Sequence, residues 1–192
     1  MRDLIVTENI SLDGVIDARD GWFSPYGGDD LAAVNREHMA AADAVLLGRV
    51  TYHEFAGYWP AQTDDTTGVS DYLNRTTKYV VSSSLTVTDW QNTTILSGSL
   101  ADEIAALKRQ PGKDIVATGS ITLVQSLVRE NLVDAYRLFV YPVVLGCGRR
   151  LFPDGINSEL RLTDTRTFRL GVVLLSYRMA RADDNGGIVP SA

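Results

Sequence analysis

Short, wholly apolar runs that stop at glycine or serine, each soon followed by a helical pattern, constrain this chain more than any other feature. Leu46-Leu47 ends at Gly48, and a helix pattern begins within three residues. Val80-Val81 ends at Ser82-Ser83-Ser84, and Ile115-Val116-Ala117-Thr118 ends at Gly119-Ser120 before a helix at 121–130. Runs without polar alternation belong to strands covered on both faces, and strands alternating with helices describe an α/β domain with a largely parallel sheet. The same reading places strands at 4–11, 43–47, 78–81, 93–96, 115–118 and 132–144. It places helices at 29–42, 51–55, 67–74, 100–109 and 121–130. Segments 161–168 and 172–179 alternate around Leu170-Gly171 and predict a closing antiparallel hairpin. Pro111-Gly112 stops one helix, and Asp29 and Asp30 are placed to start another.

Composition narrows the function classes. The 192 residues carry a net charge of −6, which disfavours a general nucleic-acid or anionic-membrane surface. The longest nearly apolar run, 138–145, contains Pro142 and is far shorter than the roughly 20 residues of a membrane span. Residues 1–10 lack the basic-then-apolar pattern of a secretory signal, so the expectation is a cytoplasmic protein. The single Cys147 rules out an internal disulfide, and His38 and His53 leave little room for a metal centre, so none is expected. One domain over 1–180 with a flexible Gly-rich tail at 181–192 accounts for the length.

Ligands of open α/β sheets lie beyond the carboxyl ends of the strands, which directs attention to the three junctions. At the first, Gly48 opens a helix start whose free N–H groups favour an anion, with Arg49 and Thr51 alongside. At the second, Ser82, Ser83 and Ser84 offer hydroxyls to a phosphate or ribose. At the third, Gly119 permits close backbone approach before another helix start. Each alone is an ordinary turn. Together they describe a groove for an extended, polyphosphorylated ligand such as a dinucleotide.

Other nucleotide and hydrolase signatures are missing. No G-x-x-x-x-G-K-[ST], H-E-x-x-H or G-x-S-x-G occurs. Gly146-Cys147-Gly148 begins a G-x-G, but Leu151 breaks the longer fingerprint.

The junctions, in their order, resemble the dihydrofolate reductase-like superfamily, and within it the bacterial branch related to the C-terminal reductase domain of the riboflavin-biosynthesis deaminase/reductase. The resemblance rests on Ser11-Leu12-Asp13-Gly14, on Leu47-Gly48-Arg49-Val50-Thr51-Tyr52 with Tyr58-Trp59-Pro60, and on Lys78-Tyr79-Val80-Val81-Ser82. Gly119-Ser120 and the segment from Pro142 through Gly146-Cys147-Gly148 to Leu151-Phe152 complete it. It implies a three-layer fold: a mixed, mostly parallel sheet with a C-terminal antiparallel hairpin. It also implies NADPH as cofactor. Gly48, Arg49 and Thr51 would bind the pyrophosphate and the 2′-phosphate, and Ser82, Ser83 and Ser84 the adenosine phosphate side. Gly119, Ser120, Ile121, Thr122 and Leu123 would support the pyrophosphate, and Asn9, Ile16 and Asp17 would border the nicotinamide.

On the same resemblance Asp30, followed by Leu31-Ala32, matches the acidic residue that serves proton transfer, although an aspartate there also caps a helix. Trp22, Phe23 and Tyr52 are candidates for a flat substrate pocket, with Tyr26 and Trp59 as further aromatics. The expected activity is hydride transfer to a small heterocyclic, pterin- or pyrimidine-like substrate by a homodimer. A nucleotide-binding protein without turnover, and a 5-amino-6-(5-phosphoribosylamino)uracil reductase, stay open as alternatives.

Overall fold

A computed structural model describes residues 1–180. The tail at 181–192 lies outside the described residues. The elements follow as β1 (Leu4–Ser11), α1 (Asp29–Ala40), β2 (Ala42–Gly48), α2 (Arg49–Tyr58) and α3 (Val69–Arg75). Next come β3 (Thr77–Val81), β4 (Thr93–Leu96), α4 (Leu100–Arg109), β5 (Asp114–Ala117) and α5 (Ile121–Arg129). The chain closes with β6 (Ala135–Tyr141), β7 (Leu160–Thr167) and β8 (Val173–Met179). All eight strands form one sheet in the order β4-β3-β2-β5-β1-β6-β8-β7. Pairs from β4 through β6 are parallel, and β8 runs antiparallel to both β6 and β7.

The apolar runs explain the layering. In β1, Leu4, Val6 and Ile10 face one side and meet Ile104 and Leu107 of α4 and Val124 and Leu127 of α5. On the opposite side α1 buries Leu31 and Val34 against Phe139, Tyr141 and Leu174. Beside it, α2 and α3 bury Tyr52, Tyr72 and Leu73 against Val45, Leu47 and Val80. Helices thus cover both faces, which is why β2 reads as nearly continuous hydrophobicity. Truncating a fully buried residue such as Leu127 to alanine is expected to cost roughly 2–5 kcal/mol.

Several boundaries differ from the sequence expectation. α1 ends at Ala40 rather than 42, because Ala42 already pairs with Asp114 as the start of β2. α2 starts at Arg49 and reaches Tyr58. The helix expected at 67–74 is Val69–Arg75, since Asp65 and the Thr67 hydroxyl take up the N–H groups of Thr67, Val69 and Ser70 ahead of it. The strand expected at 132–144 shrinks to β6. Asp134 uses its side chain to accept the Leu4 N–H at 2.7 Å, and Pro142 has no N–H for the ladder. β6 also lies inside the sheet. The edge on that side is β7, exposed along nearly its whole length and carrying Arg161, Asp164 and Arg166, the charged composition that blunts an edge. Among the described residues no helix is long and apolar enough to cross a membrane.

Candidate functional site

The carboxyl ends of β3, β2 and β5 are neighbours in the sheet, so the three junctions come together. The starts of α2 and α5 are fastened by two hydrogen bonds. The Gly48 N–H donates to Ser120 Oγ at 2.8 Å, and the Ser120 N–H donates to Thr51 Oγ1 at 2.9 Å. Both hydroxyl residues are buried. Thr51 and Ser120 therefore build the junction. Gly119 has φ +69°, and a Cβ on it would lie 2.9 Å from Thr51 Cγ2. A Cβ on Gly48 would meet Ser120 and Leu123 side-chain atoms at 3.5–3.6 Å. Gly119 thus lets two helix N-termini converge on one spot, whereas a Cβ at Gly48 would make only ordinary contacts; converging helix starts are an arrangement that attracts phosphate. Behind it Ile121 and Leu123 are buried in the core, while Thr122 is exposed.

Beside this junction runs an open groove of about 450 Å³, lined by Arg49, Val81, Ser82, Ser83, Ser84 and Leu96, with Ser97 and Gly98 at its end. Arg49 is exposed, and no carboxylate partner for it is found among the described residues. Ser82 is spoken for: its Oγ accepts the N–H groups of Ser84 and Leu85, which shapes the turn. Ser83 and Ser84 are exposed. A guanidinium, free hydroxyls and two helix N-termini form a donor set that fits a pyrophosphate-linked dinucleotide carrying an extra phosphate.

At the far side of the junction the sheet splits. The β1–β5 ladder stops at Val6↔Ala117, whereas β1–β6 continues to Ser11↔Tyr141. Asn9 sits beyond the split, its Oδ1 accepting from the Tyr141 hydroxyl at 3.1 Å. Ile16 and Asp17 are buried in the loop after β1. The Ile16 N–H donates to the Arg149 carbonyl, Asp17 faces Arg149 Nε at 3.4 Å, and the Asp17 carbonyl accepts from Trp22 Nε1 at 2.8 Å.

This loop explains two of the motifs. Asp13 of Ser11-Leu12-Asp13-Gly14 accepts from the Ser11 hydroxyl and from the Leu145 and Gly146 N–H groups. Those three donors hold its carboxyl down at about 2. Leu12 donates to the Val143 carbonyl, and Leu151 to the Gly14 carbonyl. The two motifs are one clamp across the end of the sheet.

The aromatic candidates divide. Trp22 and Phe23 pack edge-to-face on each other, and with Tyr26 they surround Tyr141, all at 5.4–6.2 Å between centroids. Tyr52 does not join them. It is buried under α2 against Trp90, whose N–H donates to the Tyr52 hydroxyl, and Trp59 belongs to the same cluster. Asp30 accepts from the Leu31 and Arg169 N–H groups, both at 2.9 Å. The Arg169 N–H leads in keeping its carboxyl below the usual carboxylate range, so it is an ionised cap joining α1 to the β7–β8 turn.

One residue escaped the sequence reading. Glu8 is buried, its Oε1 has no partner, and burial pushes its carboxyl well above the usual range against an opposing hydrogen bond from the Gly119 N–H. Its parity in β1, shared with Leu4, Val6 and Ile10, was the available signal.

Fold and site together define an α/β domain in which two helix starts converge at the carboxyl ends of β2 and β5. The chain belongs to the RibD C-terminal domain family, which it matches over residues 2–175. It is 32% identical over 179 residues to the uncharacterized protein YyaP of Bacillus subtilis (strain 168), covering 92% of this chain and 94% of that one. A pyrimidine reductase-like protein from Corynebacterium diphtheriae superposes with a TM-score of 0.68 at 16% identity, over 94% of this chain and 92% of its own. A diaminohydroxyphosphoribosylaminopyrimidine deaminase/5-amino-6-(5-phosphoribosylamino)uracil reductase from Thermotoga maritima superposes at 0.65 with 15% identity. That match takes in 93% of this chain and 57% of the Thermotoga chain.

Proposed function

We propose that this protein is an NADPH-dependent reductase that delivers hydride to a small heterocyclic, pterin- or pyrimidine-like substrate. The observation that carries the reading is the fastening of the α2 and α5 starts through Gly48, Thr51 and Ser120 beside Arg49 and the serine groove. Family membership and the reductase names of the structural neighbours support the reaction class.

When bound, the dinucleotide supplies the hydride. The chain's own residues do the rest. The helix starts and Arg49 hold phosphates, and Asn9 borders the ring end beyond the β1–β5 split. Trp22 and Phe23 with Tyr141 form an apolar wall of edge-to-face rings that excludes water. Asp30, ionised by its two backbone donors, stabilises positive charge on a protonated substrate nitrogen, and the proton itself comes from solvent. In the same reading the protein is a cytoplasmic homodimer, its half-buried β8 residues Leu175 and Tyr177 meeting the partner copy.

The test is to incubate the protein with NADPH and a panel of pterins and pyrimidines, including the ribosylaminouracil phosphate, and follow loss of reduced nicotinamide. Oxidation with one of them supports the reading. The engagement of Asp30 as a cap favours a second one, a dinucleotide-binding protein without turnover; tight NADPH binding with no oxidation across the panel selects it. Sedimentation at the 21.0 kDa monomer mass overturns the dimer.

A further inference from the structure

The split between β1 and β5 is bridged by a side chain. Val6↔Ala117 is the last pair of that ladder, so Glu8 comes level with Gly119 just where the backbone turns away at φ +69°. The Gly119 N–H, which has lost its strand partner, is directed at the Glu8 carboxyl and opposes the effect of burial on it. Among the described residues Oε1 of the same carboxyl is buried with no hydrogen-bond partner. A buried carboxylate without a counter-charge is costly, whereas a carboxylic acid is tolerated.

We propose that Glu8 is a positioning residue for the dinucleotide: its buried carboxyl takes the place of the missing ladder partner beside Gly119 and holds the start of α5 in the shape that receives phosphate. This rests on the reductase reading for the ligand's identity. An ionised Glu8 would place a negative charge under the N–H groups that hold the phosphate, so affinity must fall as Glu8 loses its proton. Burial raises the carboxyl and the Gly119 N–H is the influence that opposes it. The neighbouring elements carry Tyr136 on the same face of β6, with its phenol pushed up to about 12, and Arg49 and His53 on α2. Arg129 stands at the far end of α5, Asp102 and Lys108 lie on α4, and Asp17 with Arg149 lies in the loop after β1. Apart from Tyr136 and Asp17 these groups are at least partly exposed, so none serves Glu8 as a buried counter-ion.

The sign of the linkage is definite. The folded chain keeps a proton that the unfolded chain loses above the ordinary value of 4.5. Stability is fully present below that pH and is lost as pH rises toward the folded value.

The test compares wild type with Glu8→Gln, which keeps size and hydrogen bonding and never ionises. Urea unfolding without ligand, from about pH 5 to about pH 9, should show wild type losing stability and the variant losing none of that part. ADP-ribose, whose pyrophosphate does not titrate in this range, is the binding probe. Its affinity for wild type should fall roughly tenfold as Glu8 ionises, and stay level for the variant. Equal pH slopes for the two proteins, in unfolding or in binding, overturn the proposal. If the variant does not fold, the infrared band of a protonated carboxyl in wild type at neutral pH decides: present supports, absent overturns. ADP-ribose binding at no pH, with the unfolding slope as stated, refutes the dinucleotide reading and leaves the neutral pin standing.

Discussion

Thr51 Oγ1 accepts the Ser120 N–H at 2.9 Å across sixty-nine residues of sequence. This bond joins the first turn of α2 to the start of α5, and both flank the groove that Arg49 overlooks. A hydroxyl that reads in the sequence as a phosphate contact is also the part that keeps the two helix starts in register.

Replacing Thr51 by valine keeps the shape and deletes the acceptor. The buried Ser120 N–H is then unsatisfied, at a cost of roughly 1–3 kcal/mol. Urea unfolding measures this loss, and the same variant should bind NADPH several-fold more weakly because the two helix starts are no longer fixed.

Gly119→Ala should be far more harmful than Gly68→Ala, although both glycines have positive φ. A Cβ at 119 lies 2.9 Å from Thr51 Cγ2, whereas a Cβ at 68 meets nothing within 4 Å. The Gly68 change is expected to cost about 1 kcal/mol, the price of the backbone conformation alone. The Gly119 change adds a steric clash and should also weaken dinucleotide binding. Thermal unfolding of the pair checks it.

Asp13 holds the clamp as a carboxylate. Its folded value of about 2 lies below the ordinary 3.8, so its contribution is present above pH 3.8 and lost as pH falls toward 2. Asp13→Asn should lower the melting temperature at pH 7 and flatten that part of the acid limb. A wild-type-like melting curve for the variant at pH 7 contradicts the clamp.

Trp22→Ala and Tyr52→Phe separate pocket from core. Trp22 stands in the ring cluster around Tyr141, and its loss should raise KM for the heterocyclic substrate with NADPH affinity unchanged. Tyr52→Phe removes the acceptor of the Trp90 N–H and should cost about 1 kcal/mol of stability while leaving KM alone.

Much of the fold was legible because two physical patterns are strong. Largely apolar runs ending at Gly48, Ser82 and Gly119 marked parallel strands and their carboxyl ends, and the alternation after 160 marked the antiparallel pair. Boundaries that depend on one long-range bond were not legible. Nothing local says that Asp134 caps the Leu4 N–H rather than extending β6, or that Asp65 delays α3. The substrate side was the least readable part. Tyr52 follows Arg49 and Thr51 closely enough to look like a site residue, yet helical geometry turns it inward beneath α2. Asp30 reads equally as an acid and as a cap, and only the distant Arg169 N–H settles that its carboxylate is engaged. Glu8 was overlooked because a charged residue inside a strand suggests an exposed position, whereas its period-two partners were all core.

The central claim is that Arg49, at the fastened helix starts, recognises a phosphorylated dinucleotide. Fluorescence titration of wild type and Arg49→Ala with NADPH and NADH tests it most directly. The account predicts tight NADPH binding by wild type and roughly 10–100-fold weaker binding by the variant, the worth of one charge-assisted contact, with NADH affinity little changed. Equal losses for both dinucleotides, or no NADPH binding by wild type, would contradict it.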